Sequence, residues 1–169
     1  MGDRSSYSPR ISRPWRPMNI RTAEPRDPNF EARVRDSFAR QRMMHLLGAE
    51  LTTVLPGQIE IILPFRSDLT QQHGYIHAAA VAAIADSACG YAALTLMEPA
   101  QEVLSVEFKV NLLAPAVGER FVAVGRVLRS GRTLSVCAAD VQAMQSGSGK
   151  LIAAMQATMI ATFPNQLTA

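Results

Sequence analysis

The sequence predicts an α+β fold in which a curved antiparallel sheet wraps one central helix. Three observations carry this. Residues 78–97 form a long alanine-rich run that reads as a helix apolar on nearly every side. Four strand-like segments follow it in succession. Short Gly-containing connections join those strands, so neighbours pair as hairpins.

Taken in order, residues 1–28 are rich in Pro, Arg and Ser without periodicity and read as a disordered tail that includes Trp15. Residues 29–165 read as a single domain. Its first helix starts after Asn29, a residue suited to an N-cap. Phe30, Val34, Phe38, Gln41 and His45 recur at helical steps along its contact face, and Gly48 ends it. "AELTTVL" and "QIEIILPF" are two strands joined by Pro56-Gly57. The run at 78–97 is long enough to suggest a membrane span, but it carries Asp86 and is followed by strands, so a buried helix is expected. In "VLSVEFKVNLL", Leu104, Val106, Phe108, Val110 and Leu112 alternate with Ser105, Glu107, Lys109 and Asn111, as in a half-buried antiparallel strand. "ERFVAVGRVLR", "TLSVCAADVQAM" and "KLIAAMQATMIATF" complete the sheet, with Met97, Met144, Met155 and Met159 packing the core. One sheet cannot cover so apolar a helix on all sides, and a second copy of the chain is the simplest remaining cover. That is the hotdog fold.

Composition narrows the function. Of the 169 residues, 48% are hydrophobic and 18% charged, as in globular proteins. The pI near 9.2 comes from the tail. The first 27 residues hold six arginines and three acids, and the rest hold 11 basic and 11 acidic residues. A neutral body argues against a nucleic-acid partner. Cys89 and Cys137 have no metal or redox spacing and read as buried free thiols. No apolar leader is visible, which sets a cytoplasmic expectation. No metal site, phosphate-binding Gly loop or dinucleotide fingerprint is seen, so no cofactor is expected.

The chemistry-bearing feature is a lone carboxylate, Asp86, among Ala82, Ala83, Ile84, Ala85, Ala88 and Cys89. An ionised carboxylate left unpaired there costs several kcal/mol. It either meets a donor or serves as a base whose pKa burial has raised. The segment before the helix is polar, with Gln71, Gln72, His73 and His77. Helix starts leave N–H groups unpaired and suit an oxyanion. Ser87 lacks a hydrolase-serine setting and reads as a packing hydroxyl. His73 reads as a loop residue.

"QQHGYIHAAAVAAIAD" resembles the signature of the phenylacetate-pathway-type (PaaI-like) hotdog acyl-CoA thioesterases. That signature is an Asn, a Gly, then His-Gly-Gly opening a helix, and an Asp nine residues after the His. Here Gln71 takes the Asn place, Gly74 the Gly place, His77-Ala78-Ala79 the His-Gly-Gly place and Asp86 the Asp place. "LSVEFKVNLLAPAVGE", "GRVLRSGRTL" and "GSGKLIAAMQAT" are similar in order and spacing, so the likeness spans roughly residues 45–162. The resemblance implies hydrolysis of an acyl-CoA. Asp86 would be general base or nucleophile, the Ala78 N–H the oxyanion donor, and Gln71 the residue that orients water or substrate. His77 would contact the thioester and Ser105 hold the water, with Ala79 at the substrate. Arg126, Arg129 and Arg132 would meet the coenzyme A phosphates. Coenzyme A enters only as part of the substrate. The resemblance also implies a homodimer or homotetramer whose sites are shared at the dimer interface. The competing readings are a non-catalytic acyl-CoA-binding hotdog protein and a hotdog dehydratase or hydratase.

Overall fold

The computed structural model describes residues 24–166. Most of the tail read from the sequence, Trp15 included, lies outside them. Asp27 does not behave as a tail residue. It is buried, meets the Arg33 guanidinium at 3.2 Å and accepts the Asn29 N–H at 2.8 Å. Asn29 makes no side-chain capping bond of its own. The folded body thus begins before residue 29.

The first helix comes in two pieces rather than one. α1 (Phe30–Arg40) and α2 (Arg42–Leu47) are separated by Gln41, whose ψ of 93° breaks the helical ladder. The break lets Val34, Phe38, Met44 and Leu47 all turn inward. His45, expected on the contact face, is exposed instead, with a ring nitrogen 2.7 Å from the Ala39 carbonyl. Gly48 ends α2 in the left-handed region, with φ 70°.

β1 (Glu50–Leu55) and β2 (Gln58–Pro64) form a hairpin across Pro56-Gly57, with Gly57 at φ 73°. After α3 (Ala78–Leu94) come β3 (Glu102–Leu112), β4 (Arg120–Ser130), β5 (Leu134–Gln145) and β6 (Ser148–Thr162). All six strands join one antiparallel sheet in the order β1-β2-β4-β5-β6-β3. α3 packs against every strand from β2 to β6. Ile61, Leu63, Phe121, Val141 and Met159 join Val81, Ile84 and Leu94 of α3 in the core. Met97, Met155 and Met159 are buried as expected, whereas Met144 is half-buried. No helix among the described residues is long and apolar enough to cross a membrane.

Two contacts fix α3 along its axis. At its end, the Thr95 hydroxyl donates to the Ala92 carbonyl and accepts the Gly57 N–H, each at 2.7 Å, tying the helix to the β1–β2 turn. Arg33 reaches from α1 to the carbonyls of Leu94 at 2.8 Å, at the end of α3, and of Glu98 at 2.7 Å, just beyond it. This second contact docks the α1–α2 segment against the C-terminal half of α3.

β3 departs from the expected half-buried strand. It lies at the sheet edge, and Leu104, Val106, Phe108 and Leu112 are exposed in the single chain. Its alternation is also interrupted. The pairing with β6 slips between Ser105 and Glu107, so Ser105 lies opposite Met159 and Glu107 opposite Thr158. Val106 is the extra residue of a bulge. Residues before and after it therefore exchange faces: Ser105 shares the inner face with Phe108, Val110 and Leu112, and Leu104 joins Glu107 on the outer one.

Candidate active site

The bulge brings Ser105 to Asp86. The Ser105 hydroxyl donates to Asp86 Oδ1 at 2.7 Å and lies 3.5 Å from the Met159 sulfur. Asp86 is half-buried on α3. Burial pushes its carboxyl above the ordinary value of 3.8, and the Ser105 hydrogen bond pulls it part of the way back. The carboxylate thus has one donor and keeps lone pairs for another, such as a water. Asp86 and Ser105 line a small cavity of about 120 Å³.

The polar segment before α3 builds a second place. Gln71 opens a tight turn in which its N–H bonds the Tyr75 carbonyl at 2.8 Å, and its carbonyl accepts the Gly74 N–H at 2.9 Å. Gly74 sits at φ 82°, a conformation that explains a glycine there. The Gln71 side-chain oxygen accepts the N–H of His73, which is itself exposed. The turn delivers the chain to the start of α3. His77 is the N-cap of α3 and is exposed, and its Nδ1 accepts the Ala79 N–H at 3.0 Å. A neutral His77 therefore carries its proton on Nε2. The His77 carbonyl takes the N–H of Ala80 at 3.0 Å and of Val81 at 3.4 Å. Among the described residues this leaves the Ala78 N–H without an acceptor. The Ala79 N–H, expected at the substrate, is already used by His77. Gln71 and Ala78 line a cleft of about 430 Å³ whose walls include Ile76, Val81, Leu112 and Ile152.

The single chain thus gathers the expected residues into two groups. Gln71, His77 and Ala78 stand at the start of α3, and Asp86 with Ser105 stands midway along it. Eight residues of helix put Ala78 and Asp86 about 12 Å apart along the axis. The arginines do not form the expected trio at a turn. Arg126 lies within β4, where it meets the Asp140 carboxylate at 2.5 Å. Arg129 and Arg132 are exposed at the β4–β5 hairpin, and none of the three lines either cavity. Gln41 falls on the contact face that helical spacing predicts for the first helix. It lines the Asp86 cavity and accepts the Ser87 hydroxyl at 3.4 Å. No sequence signal marked it, because its place depends on the break between α1 and α2. Ser87 is a buried packing hydroxyl as read. No group of three or more His, Cys, Asp or Glu suited to a metal occurs among the described residues.

Residues 73–149 match the family model described as Thioesterase superfamily. A solved thioesterase family protein from Silicibacter pomeroyi is 51% identical, with a TM-score of 0.78 over 79% of this chain and 98% of that one. The chain belongs to the thioesterase superfamily. The structure of the E. coli PaaI protein from the phenylacetic acid degradation operon shares the fold, with 14% identity and a TM-score of 0.72 over 79% of this chain and 94% of that one. A putative esterase from Saccharolobus solfataricus is 27% identical over 95 residues, which are 56% of this chain and 67% of that protein. The expected α+β hotdog architecture is therefore what the chain adopts, and thioester hydrolysis is the chemistry of its superfamily.

Proposed function

We propose that the protein hydrolyses acyl-CoA thioesters with Asp86 as the reacting carboxylate, in a site completed by a second copy of the chain. The observation that carries this is the pairing of a half-buried Asp86 with Ser105, in a chain whose one unused N–H at the start of α3 belongs to Ala78. The carboxylate takes a proton from water, or attacks the thioester carbonyl itself. The Ala78 N–H and the positive end of α3 stabilise the oxyanion, a contribution of roughly 3–4 kcal/mol for such a donor. Gln71 orients water or substrate, and His77 fixes the helix start by holding the Ala79 N–H. Ser105 holds the Asp86 carboxylate in place and favours its charged form.

The separation of about 12 Å between the two groups supports sharing between protomers, because neither group can act on the other's substrate atom in the same chain. The exposed apolar edge of β3 is suited to the second copy, since a long apolar edge left open invites pairing. Arg129 and Arg132, free of any acceptor in the ion pairs described, supply surface charge for coenzyme A phosphates.

Free-thiol release from short, medium, long and aryl acyl-CoAs tests the reading, with wild type and Asp86→Asn side by side. The wild type turns over at least one of them, and the variant loses about a hundredfold or more in kcat. Ligand-dependent melting without thiol release would make the protein an acyl-CoA binder instead.

A further inference from the structure

The cavity beside Asp86 differs from the cleft at the start of α3 in chemistry as well as size. The cleft of about 430 Å³ is walled mainly by aliphatic side chains. The Asp86 cavity, about 120 Å³, has polar walls, with Ser37 and Gln41 from the α1–α2 segment, Ser87 and Tyr91 from α3, and Glu102 from the start of β3. That volume holds about four water-sized groups. The polar groups are organised. The Ser87 hydroxyl donates to Gln41 Oε1 at 3.4 Å, which leaves the Gln41 NH2 to donate. The Tyr91 ring packs edge-on to Phe38 with centroids 5.8 Å apart. Gln41 occupies the capping position of α2 without capping it. α1 and α2 lie outside the stretch matched by the family model, residues 73–149.

We propose that this cavity receives the acyl end of the substrate and selects a short acyl group bearing a hydroxyl, with Gln41, Tyr91 and Glu102 as the residues that recognise it; the inference rests on the hydrolase reading above. A hydroxyl both donates and accepts, and the wall offers both an amide donor and a carboxylate acceptor. A hydrocarbon tail would leave these groups dehydrated and unpaired, which disfavours it. An acyl group ending in a carboxylate would face Glu102 and Asp86, two like charges. The volume of about 120 Å³ suits a short acyl group.

The test uses isosteric pairs of coenzyme A thioesters that differ only by hydroxyl against methyl: 3-hydroxybutanoyl against 3-methylbutanoyl, and 3-hydroxypropanoyl against butanoyl. The full-length wild type prefers the hydroxyl member of at least one pair by about tenfold or more in kcat/KM, as expected of a site built to hydrogen-bond its substrate. Gln41→Leu, similar in volume, lowers that ratio severalfold. If thiol is released from the pairs but the wild type prefers methyl, or discriminates less than about threefold, the cavity does not select a hydroxyl and the inference falls while the hydrolase reading stands. If no thioester in either pair or in the wider panel is cleaved, both fall. A Gln41→Leu chain that fails to fold leaves the wild-type ratios to decide alone. A folded variant with an unchanged ratio overturns the role of Gln41.

Discussion

Burial gives Asp86 a higher proton affinity in the folded chain than in the unfolded one. From the ordinary value of 3.8 up to its raised native value, the folded state holds more protons, so stability falls as pH rises through that window and then levels off. Asp86→Asn does not titrate and escapes this loss. Its melting temperature should therefore gain on that of the wild type as pH rises from about 4 to 7, while its kcat is lower by about a hundredfold or more. A constant difference across that range would contradict the burial of the carboxylate. Removing the one hydrogen bond that lowers the Asp86 pKa, by Ser105→Ala, should move the acid limb of the kcat/KM profile to higher pH. The partial burial of Asp86 and its need for a donor were legible in the sequence, because a carboxylate inside "AAVAAIADSACG" needs a reason. Its partner was only half legible. Ser105 followed from family resemblance, but its neighbours Glu107 and Lys109 pointed to a solvent face. The bulge at Val106 reverses that, and it is set by pairing with β6, which local alternation does not encode.

The closeness of α3 to the sheet depends on small residues on both sides. A Cβ at Gly125 of β4 would overlap the Ala88 backbone and come within 2.7 Å of the Cys89 nitrogen. Backbone cannot yield as a flexible side chain does. Gly125→Ala should cost about 3 kcal/mol through overpacking, read as a lower denaturation midpoint, and it should lower activity because it lifts the helix turn next to Asp86. A loss below about 0.5 kcal/mol would mean that α3 is free to shift. The strands and α3 were readable from hydrophobic period and turn residues such as Gly57. The split between α1 and α2 was not, since Phe38, Gln41 and His45 fit one continuous helix as well as they fit two.

A site divided between two symmetric copies has a testable arithmetic. Gln71→Ala damages the helix-start half and Asp86→Asn the carboxylate half. When the two inactive variants are unfolded and refolded together, half of the dimers are mixed, and each mixed dimer contains one intact site of two. Activity should return to about a quarter of the wild-type value. No recovery, from dimers shown to have exchanged subunits, would place the whole reaction within one chain. The separation of the two groups along α3 was legible in the nine-residue spacing of His77 and Asp86. The polar wall that Gln41 adds was not, because it needs the docking of α1 through Arg33.

The two thiols bear on how this protein handles a thioester. Cys89 and Cys137 are its only cysteines, and both are free and buried. Burial raises both, that of Cys137 to about 12, and for Cys89 the neighbouring Cys137 and Asp86 add to the effect. At neutral pH neither supplies an appreciable thiolate, the form that would exchange with an acyl thioester. The protein should therefore not acylate itself while its substrate is bound, and alkylating reagents should leave the native chain untouched.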